Sequence, residues 1–115
     1  MSKITDKFDL IEKKLYTAVI SDVLDDLGYT YKSRVMRGDI RPLQLETVLV
    51  GYAAPVLSID IYELRENPYQ GEIAYVDSLK EGDVAVASTG GSDRYGFWGE
   101  LLSTAARARG ARGAV

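Results

Sequence analysis

Helical and strand patterns alternate through the second half of this chain, which predicts an α/β fold, or the neighbouring α+β layering, around one core. Two further observations support that class. A short apolar strand, VAVAS (84–88), is followed by a glycine-rich loop, and the loop opens a helix that Gly110 stops. A length of 115 residues with 46% hydrophobic and 27% charged residues suits a single domain over 1–115, with N-terminal helices in 1–28 and a β/α core in 47–115.

The elements follow in order. Ile4, Phe8, Ile11 and Leu15 recur at helical spacing among charges and predict a short amphipathic helix whose role is packing. Thr17 reads as the N-cap of AVISDVLDDL, with Val19, Ile20, Val23, Leu24 and Leu27 in one stripe and Gly28 as the stop. Ser21, Asp22, Asp25 and Asp26 fall on the other side. Tyr29 to Leu45 has no clean period and is punctuated by Gly38 and Pro42, so it predicts an irregular connection that needs tertiary support. From Thr47 to Ile61 β-branched and apolar residues predict one long strand, or two joined at Gly51 or Pro55, and Pro55 favours an edge or a bulge. RENPYQG reads as a loop, EIAYVDSL as a short helix and KEGD as a turn into VAVAS. TGGSDRYGFWG is the glycine-rich loop, and the last helix runs from about Trp98 to Arg109.

Composition narrows the chemistry. With 14 Lys+Arg against 17 Asp+Glu the formal charge is −3, which gives no electrostatic footprint for nucleic acid or an anionic membrane. Cys and His are both absent, so disulfides, thiolate nucleophiles, Ser-His-Asp triads and imidazole metal ligands are excluded. Chemistry must rest on carboxylates, Lys, Arg, Tyr, hydroxyls or backbone amides, and oxygen ligands favour Mg²⁺ or Mn²⁺. The start, MSKITDKFDLIEKKL, carries acidic residues and lacks an apolar run, so it predicts neither a secretory signal nor a membrane span, and the expected location is cytoplasmic.

The strand, loop and helix of VAVASTGGSDRYGFWGELL form the unit with a physical potential for binding. The first turn of a helix leaves N–H groups unpaired at the positive end of the dipole, where a carboxylate or phosphate is stabilised. Glycines at 90, 91, 96 and 99 would let such a ligand approach the backbone, although an ordinary loop and cap would produce the same spacing. The pattern is neither GxGxxG nor GxxxxGK[ST], which argues against a dinucleotide or nucleoside triphosphate. Glu100 has two readings, a carboxylate stabilising the helix start or an oxygen ligand, direct or through water, for a divalent cation. Trp98 reads as a core or interface aromatic rather than a substrate platform. Asp22, Asp25 and Asp26 read as a solvated face, and Arg107, Arg109 and Arg112 as charges that neutralise a helix C-terminus.

Taken in order, TAVISDVLDDLG, MRGDIRPL, VLVGYAAPV, EGDVAVAS and WGELLSTAARARGARGAV resemble the amino-terminal part of the RraA-like family, the 4-hydroxy-4-methyl-2-oxoglutarate aldolases and regulators of ribonuclease activity. The resemblance spans nearly the whole chain. It implies a swivelling β/β/α domain that assembles as a trimer with active sites at subunit boundaries. It also implies Mg²⁺- or Mn²⁺-dependent cleavage of oxo acids to pyruvate, with oxaloacetate decarboxylation beside it. Carried over, the pyruvate-binding backbone amides fall at Gly99, Leu101 and Leu102, and Glu100 is the catalytic carboxylate that orients metal-bound water. In the family, an Arg that holds substrate and an Asp that ligates the metal follow the strand that begins here at Ala111 to Val115. The chain is therefore expected to be a partial copy whose main metal ligand lies elsewhere and whose open sheet edges need a second copy or a complementary piece. Two alternatives accompany the aldolase: a protein-binding regulator with a ribonuclease partner, and a non-catalytic fragment or assembly module. The absence of a nucleotide-binding glycine motif counts against a methyltransferase.

Overall fold

The computed structural model describes residues 2–29 and 34–115, and the part of the Tyr29–Leu45 connection at 30–33 lies outside them. The order of elements is α1 (Lys3–Lys14), α2 (Thr17–Asp26), β1 (Tyr52–Leu57), α3 (Gln70–Ser78), β2 (Asp83–Ser88), α4 (Glu100–Ala108) and β3 (Gly113–Ala114).

The three strands form one parallel sheet in the order β1-β2-β3. Parallel neighbours need crossover connections, and α3 and α4 supply them. Successive crossovers of the same hand, stepping in the same direction across the sheet, put both helices on one face. That face is where the core closes: Ala85 on β2 packs with Leu79 and with Ala106 of α4, and Ala54, Tyr75, Trp98 and Ala111 border them. The small side chains at Ala54 and Ala85, paired across β1 and β2, let the helices lie close to the strands. Tyr75 of α3 fastens the layer by donating its hydroxyl to the Ala54 carbonyl at 2.6 Å, and burial pushes that phenol above its ordinary pKa.

The register places Ala53, Val84 and Gly113 on the opposite face. Here the cover is the irregular connection rather than a second regular layer. Leu49 lies so close over Gly113 that a Cβ there would come within 2.7 Å of its Cδ1. A cleft of about 640 Å³ remains between the connection and this face, bordered by Met36, Leu43, Leu49, Val86 and Val115.

α1 closes the end of the sheet where the strands begin. Phe8 is 4% exposed and meets the Tyr52 ring edge-on at 4.9 Å. It fits because residue 82 has no side chain: Gly82 has φ +87, and a Cβ there would lie 2.6 Å from Ile4 and 3.0 Å from Phe8. Arg112, just before β3, donates to Asp9 at 2.9 Å and Glu12 at 2.8 Å.

Several expectations need correction. Thr17 is the first helical residue of α2 rather than its cap; Tyr16 holds the cap position and supplies no side-chain hydrogen bond. The α2 stripe does not form a closed core contact, since Val23 is 48% and Leu27 66% exposed. The strand expected over Thr47–Ile61 is confined to Tyr52–Leu57, with Pro55 tolerated because β1 is an edge strand. α3 begins at Gln70, two residues before the expected start, and α4 begins at Glu100 rather than Trp98. Arg112 lies beyond α4, just before β3, and ties to α1, and Arg109 pairs with Asp77 at 2.6 Å, so neither serves only to neutralise the C-terminus of α4. Asp22, Asp25 and Asp26 are exposed, as expected for a solvated face.

Candidate functional site

In open parallel sheets ligands bind beyond the carboxyl ends of the strands, at points where the strand order reverses; the described order β1-β2-β3 has no reversal, so the carboxyl-end position alone applies here. In this chain that edge is drawn by Leu57 and Ser88, paired across β1 and β2, with the Ser58 amide donating to the Ser88 carbonyl at 2.8 Å. The glycine-rich loop leaves β2 here and reaches α4 at Gly99.

The loop bends at Gly90 and Gly91, with φ +65 and +89, a backbone shape that side chains resist. The Gly90 amide donates to Ser88 Oγ, and the Ser92 amide to the Thr89 carbonyl. Apart from each glycine's chain neighbours, no atom of the described residues lies within 4 Å of where a Cβ would stand at Gly90, Gly91, Gly96 or Gly99, so the loop backbone faces open space. Tyr95 Oη is buried without a protein partner among the described residues.

Trp98 fixes the far end of the loop. Its indole packs against the core and donates to Ser103 Oγ at 2.9 Å, while Ser103 Oγ donates to the Gly99 carbonyl at 2.8 Å. Phe97 bridges Trp98 and Tyr75, with ring centroids at 6.2 and 6.4 Å. The expectation of a structural Trp98 is therefore met by its contacts.

Gly99 is the N-cap of α4, in an extended conformation that any residue adopts, and contributes no side-chain cap. Leu101 and Leu102 fall in the first turn, where no preceding carbonyl is available to their amides. Leu101 is 86% exposed, so its side chain packs against no neighbouring layer among the described residues. Glu100 is the first helical residue, exposed and without a hydrogen-bond or salt-bridge partner among the described residues. Contiguity in the chain thus brings all four expected residues to one helix start. The aspartates of α2 belong to a separate exposed helix face.

Such a helix start can hold a carboxylate by amide hydrogen bonds and the dipole. Its capacity for a divalent ion is smaller. Mg²⁺ and Mn²⁺ need about six oxygen ligands, of which water and substrate can supply several and one or two carboxylates the rest. The described residues contain no group of three or more acidic side chains that could hold a metal. Glu100 offers one carboxylate, so these residues do not complete an ion site.

One group was not anticipated from the sequence. Asp60, beyond the end of β1, accepts the Ser92 hydroxyl at 2.6 Å and lies 3.6 Å from Arg94. Arg94 also reaches the Tyr62 hydroxyl at 3.4 Å and lies 5.5 Å from its ring centroid. In sequence these residues are more than thirty positions apart, and only the parallel pairing of β1 and β2 brings them together. The alternation of Asp60 and Tyr62 with Ile59 and Ile61 is the one local signal they carry.

Comparison with known proteins follows this geometry. The family model RraA-like, described as Aldolase/RraA, matches residues 17–115. The curated proteins provide no match. Among solved structures, the chain is similar to one described as "Crystal structure of novel cellulases from microbes associated with the gut ecosystem", with a TM-score of 0.77 and 22% identity. The alignment covers 99% of this chain and 49% of that one, so the chain spans about half its length. At this identity the likeness is one of fold. It agrees with the α/β class and the three-stranded parallel sheet.

Proposed function

The chain belongs to the RraA-like family, and on that premise we propose that it carries the oxo-acid-binding half of a metal-dependent aldolase or decarboxylase. The substrates are pyruvate-yielding oxo acids such as 4-hydroxy-4-methyl-2-oxoglutarate and oxaloacetate. The single observation that carries this reading is the α4 start: an N-cap without a side chain, open space beside it, and unpaired first-turn amides at the carboxyl edge of a parallel sheet.

In this reading the amides of Gly99, Leu101 and Leu102 donate hydrogen bonds to the carboxylate of the oxo acid and orient its keto group. They are preorganised, because Trp98 and Ser103 hold the Gly99 carbonyl in place before substrate arrives. Glu100, at the same turn, orients a water molecule from which a proton passes to the enolate carbon left by C–C cleavage, giving pyruvate. A divalent ion, Mg²⁺ or Mn²⁺, supplies Lewis-acid polarisation of the keto oxygen when bound. The family is generally associated with such ions, and Glu100 contributes to holding one through water. The described residues do not complete a set of metal ligands, so this reading requires a further ligand and the substrate-binding Arg implied by the family. A homotrimer with the site at subunit boundaries is the assembly proposed, and the open sheet face described above supports an assembling role. No helix among the described residues is long and apolar enough to cross a membrane.

The test is pyruvate formation from oxaloacetate by the 115-residue chain, with Mg²⁺ or with chelator, across protein concentrations. Mg²⁺-dependent turnover that rises more than linearly with protein supports a shared site. Turnover equal to the metal-ion background, at concentrations where the chain is assembled, removes the catalytic reading and leaves an assembly module. A metal-independent complex with a ribonuclease would instead favour the regulatory reading.

A further inference from the structure

The glycine-rich loop is secured at both ends and exposed between them. Ser88 begins it from the sheet, and Phe97 with Trp98 ends it against α3 and the core. Between these, the backbone amides of residues 89 to 96 make three hydrogen bonds among the described residues, all local: Gly90 to Ser88 Oγ, Ser92 to the Thr89 carbonyl and Arg94 to Ser92 Oγ. Glycines 90, 91 and 96 add no side-chain packing. Among the described residues, the long-range polar ties of this stretch all run to the segment after β1, from Ser92 to Asp60 and from Arg94 to Asp60 and Tyr62.

We propose that Asp60 is a positioning residue, which anchors the middle of the glycine-rich loop and so holds in place the segment that leads into the α4 amides where an oxo-acid carboxylate would bind. The inference rests on the reading of that helix start as the oxo-acid site. Asp60 suits the role because its side chain is only 25% exposed, whereas Arg94 at 63% is a surface group. The two Asp60 oxygens divide the work: Oδ1 takes the Ser92 hydroxyl and Oδ2 faces Arg94. Ser92 Oγ accepts from the Arg94 amide while it donates to Asp60, so its hydroxyl direction is fixed by both neighbours. A charge-assisted hydrogen bond of this kind is about twice as strong as a neutral one. Losing Asp60 leaves a loop containing three glycines whose remaining long-range polar tie, among the described residues, is the contact of the exposed Arg94 with Tyr62.

The experiment compares the unaltered chain with D60A, D60N and S92A by ¹⁵N relaxation of the loop amides, and by titration with pyruvate and with oxalate in the presence of Mg²⁺. In the unaltered chain Gly90, Gly91 and Gly96 should have order parameters near the rigid value of about 0.85, and in D60A they should fall below about 0.6. Affinity for pyruvate and oxalate should weaken roughly tenfold in D60A and S92A, and less in D60N, which keeps an acceptor for Ser92. Unchanged melting of D60N and S92A shows that any effect is local. Loop order and affinity unchanged in both D60A and S92A would overturn the proposal. If the unaltered chain binds neither ligand, the oxo-acid reading fails and the affinity consequence with it. The relaxation data alone then decide whether Asp60 anchors the loop.

Discussion

Glu100 stands at the first position of α4, exposed and unpaired, where a carboxylate already benefits from the helix dipole. A stabilising role and a chemical role therefore make opposite predictions for the isosteric amide. If Glu100 acts on substrate through an ordered water, E100Q should lower Mg²⁺-dependent oxaloacetate turnover by about 10- to 100-fold, the usual effect of removing such a supporting group, while shifting stability by less than about 1 kcal/mol. A coupled pyruvate assay and a denaturant titration separate the two. Glu81 supplies a second residue-scale prediction. Its carboxylate accepts from the hydroxyls of Ser2 and Thr5, the latter at 2.7 Å, and those bonds lower its pKa. A depressed carboxylate contributes stability that is fully present above the unfolded-state value of about 4.3 and is lost as pH falls through the folded-state value. The docking of α1 should therefore weaken on acidification below pH ~4.3, and S2A/T5A should flatten that slope in a pH series of melting curves. Glu100 was legible from sequence because a helix start is a local feature. Glu81 and Asp60 were not, since their partners lie 76 to 79 and 32 positions away, respectively.

Arg112 and Leu79 show what binds elements together. Arg112 has a side chain 15% exposed and spans from the start of β3 to Asp9 and Glu12 on α1, with its guanidinium 5.5 Å from the Phe8 ring. Replacing it with Met should cost about 1 kcal/mol, after discounting the partly exposed partners, and should speed amide exchange in α1 before the sheet. Leu79, 4% exposed, sits beneath both crossover helices, and L79A should cost about 2–4 kcal/mol with unfolding of α3 and α4 together. Among the described residues, the sequence patterns found the four helices and strands β1 and β2 but erred at their edges, whereas β3 was expected through the family resemblance. Strand β1 is shorter than its apolar run because residues 47–51 leave the ladder to cover the opposite face, as Leu49 does over Gly113. The α2 stripe has correct helical spacing, yet periodicity identifies an apolar face without saying what covers it.

At the scale of the molecule, that missing cover dominates. A folded chain of 12.7 kDa should expose roughly 6,200 Å² if self-contained, whereas this one exposes 9567 Å². Its radius of gyration is 16.2 Å, against about 13 Å for a compact domain of this length. Both helices lie on one sheet face, and the other face keeps an apolar cleft beneath Leu43 and Leu49. The β/α half of the architecture implied by the family is thus present, and a second strand layer does not occur among the described residues. Apolar surface on this scale predicts concentration-dependent association. Sedimentation should show species larger than one chain at micromolar concentration, with dye binding to exposed apolar surface declining as they form. A strictly monomeric chain that binds no such dye would contradict this. Assembly also bears on the chemistry, because the helix start proposed as the oxo-acid site has amides and one carboxylate, and the described residues hold an incomplete set of metal ligands.

The most direct test of the central claim is to map binding on the α4 start itself. ¹H–¹⁵N spectra of the assembled chain, titrated with pyruvate and Mg²⁺, should shift the amides of Gly99, Leu101 and Leu102 together and saturably, with smaller changes at Gly90 and Gly91. Shifts confined to other parts of the molecule, or none at millimolar pyruvate, would contradict the assignment of this helix start as the oxo-acid site.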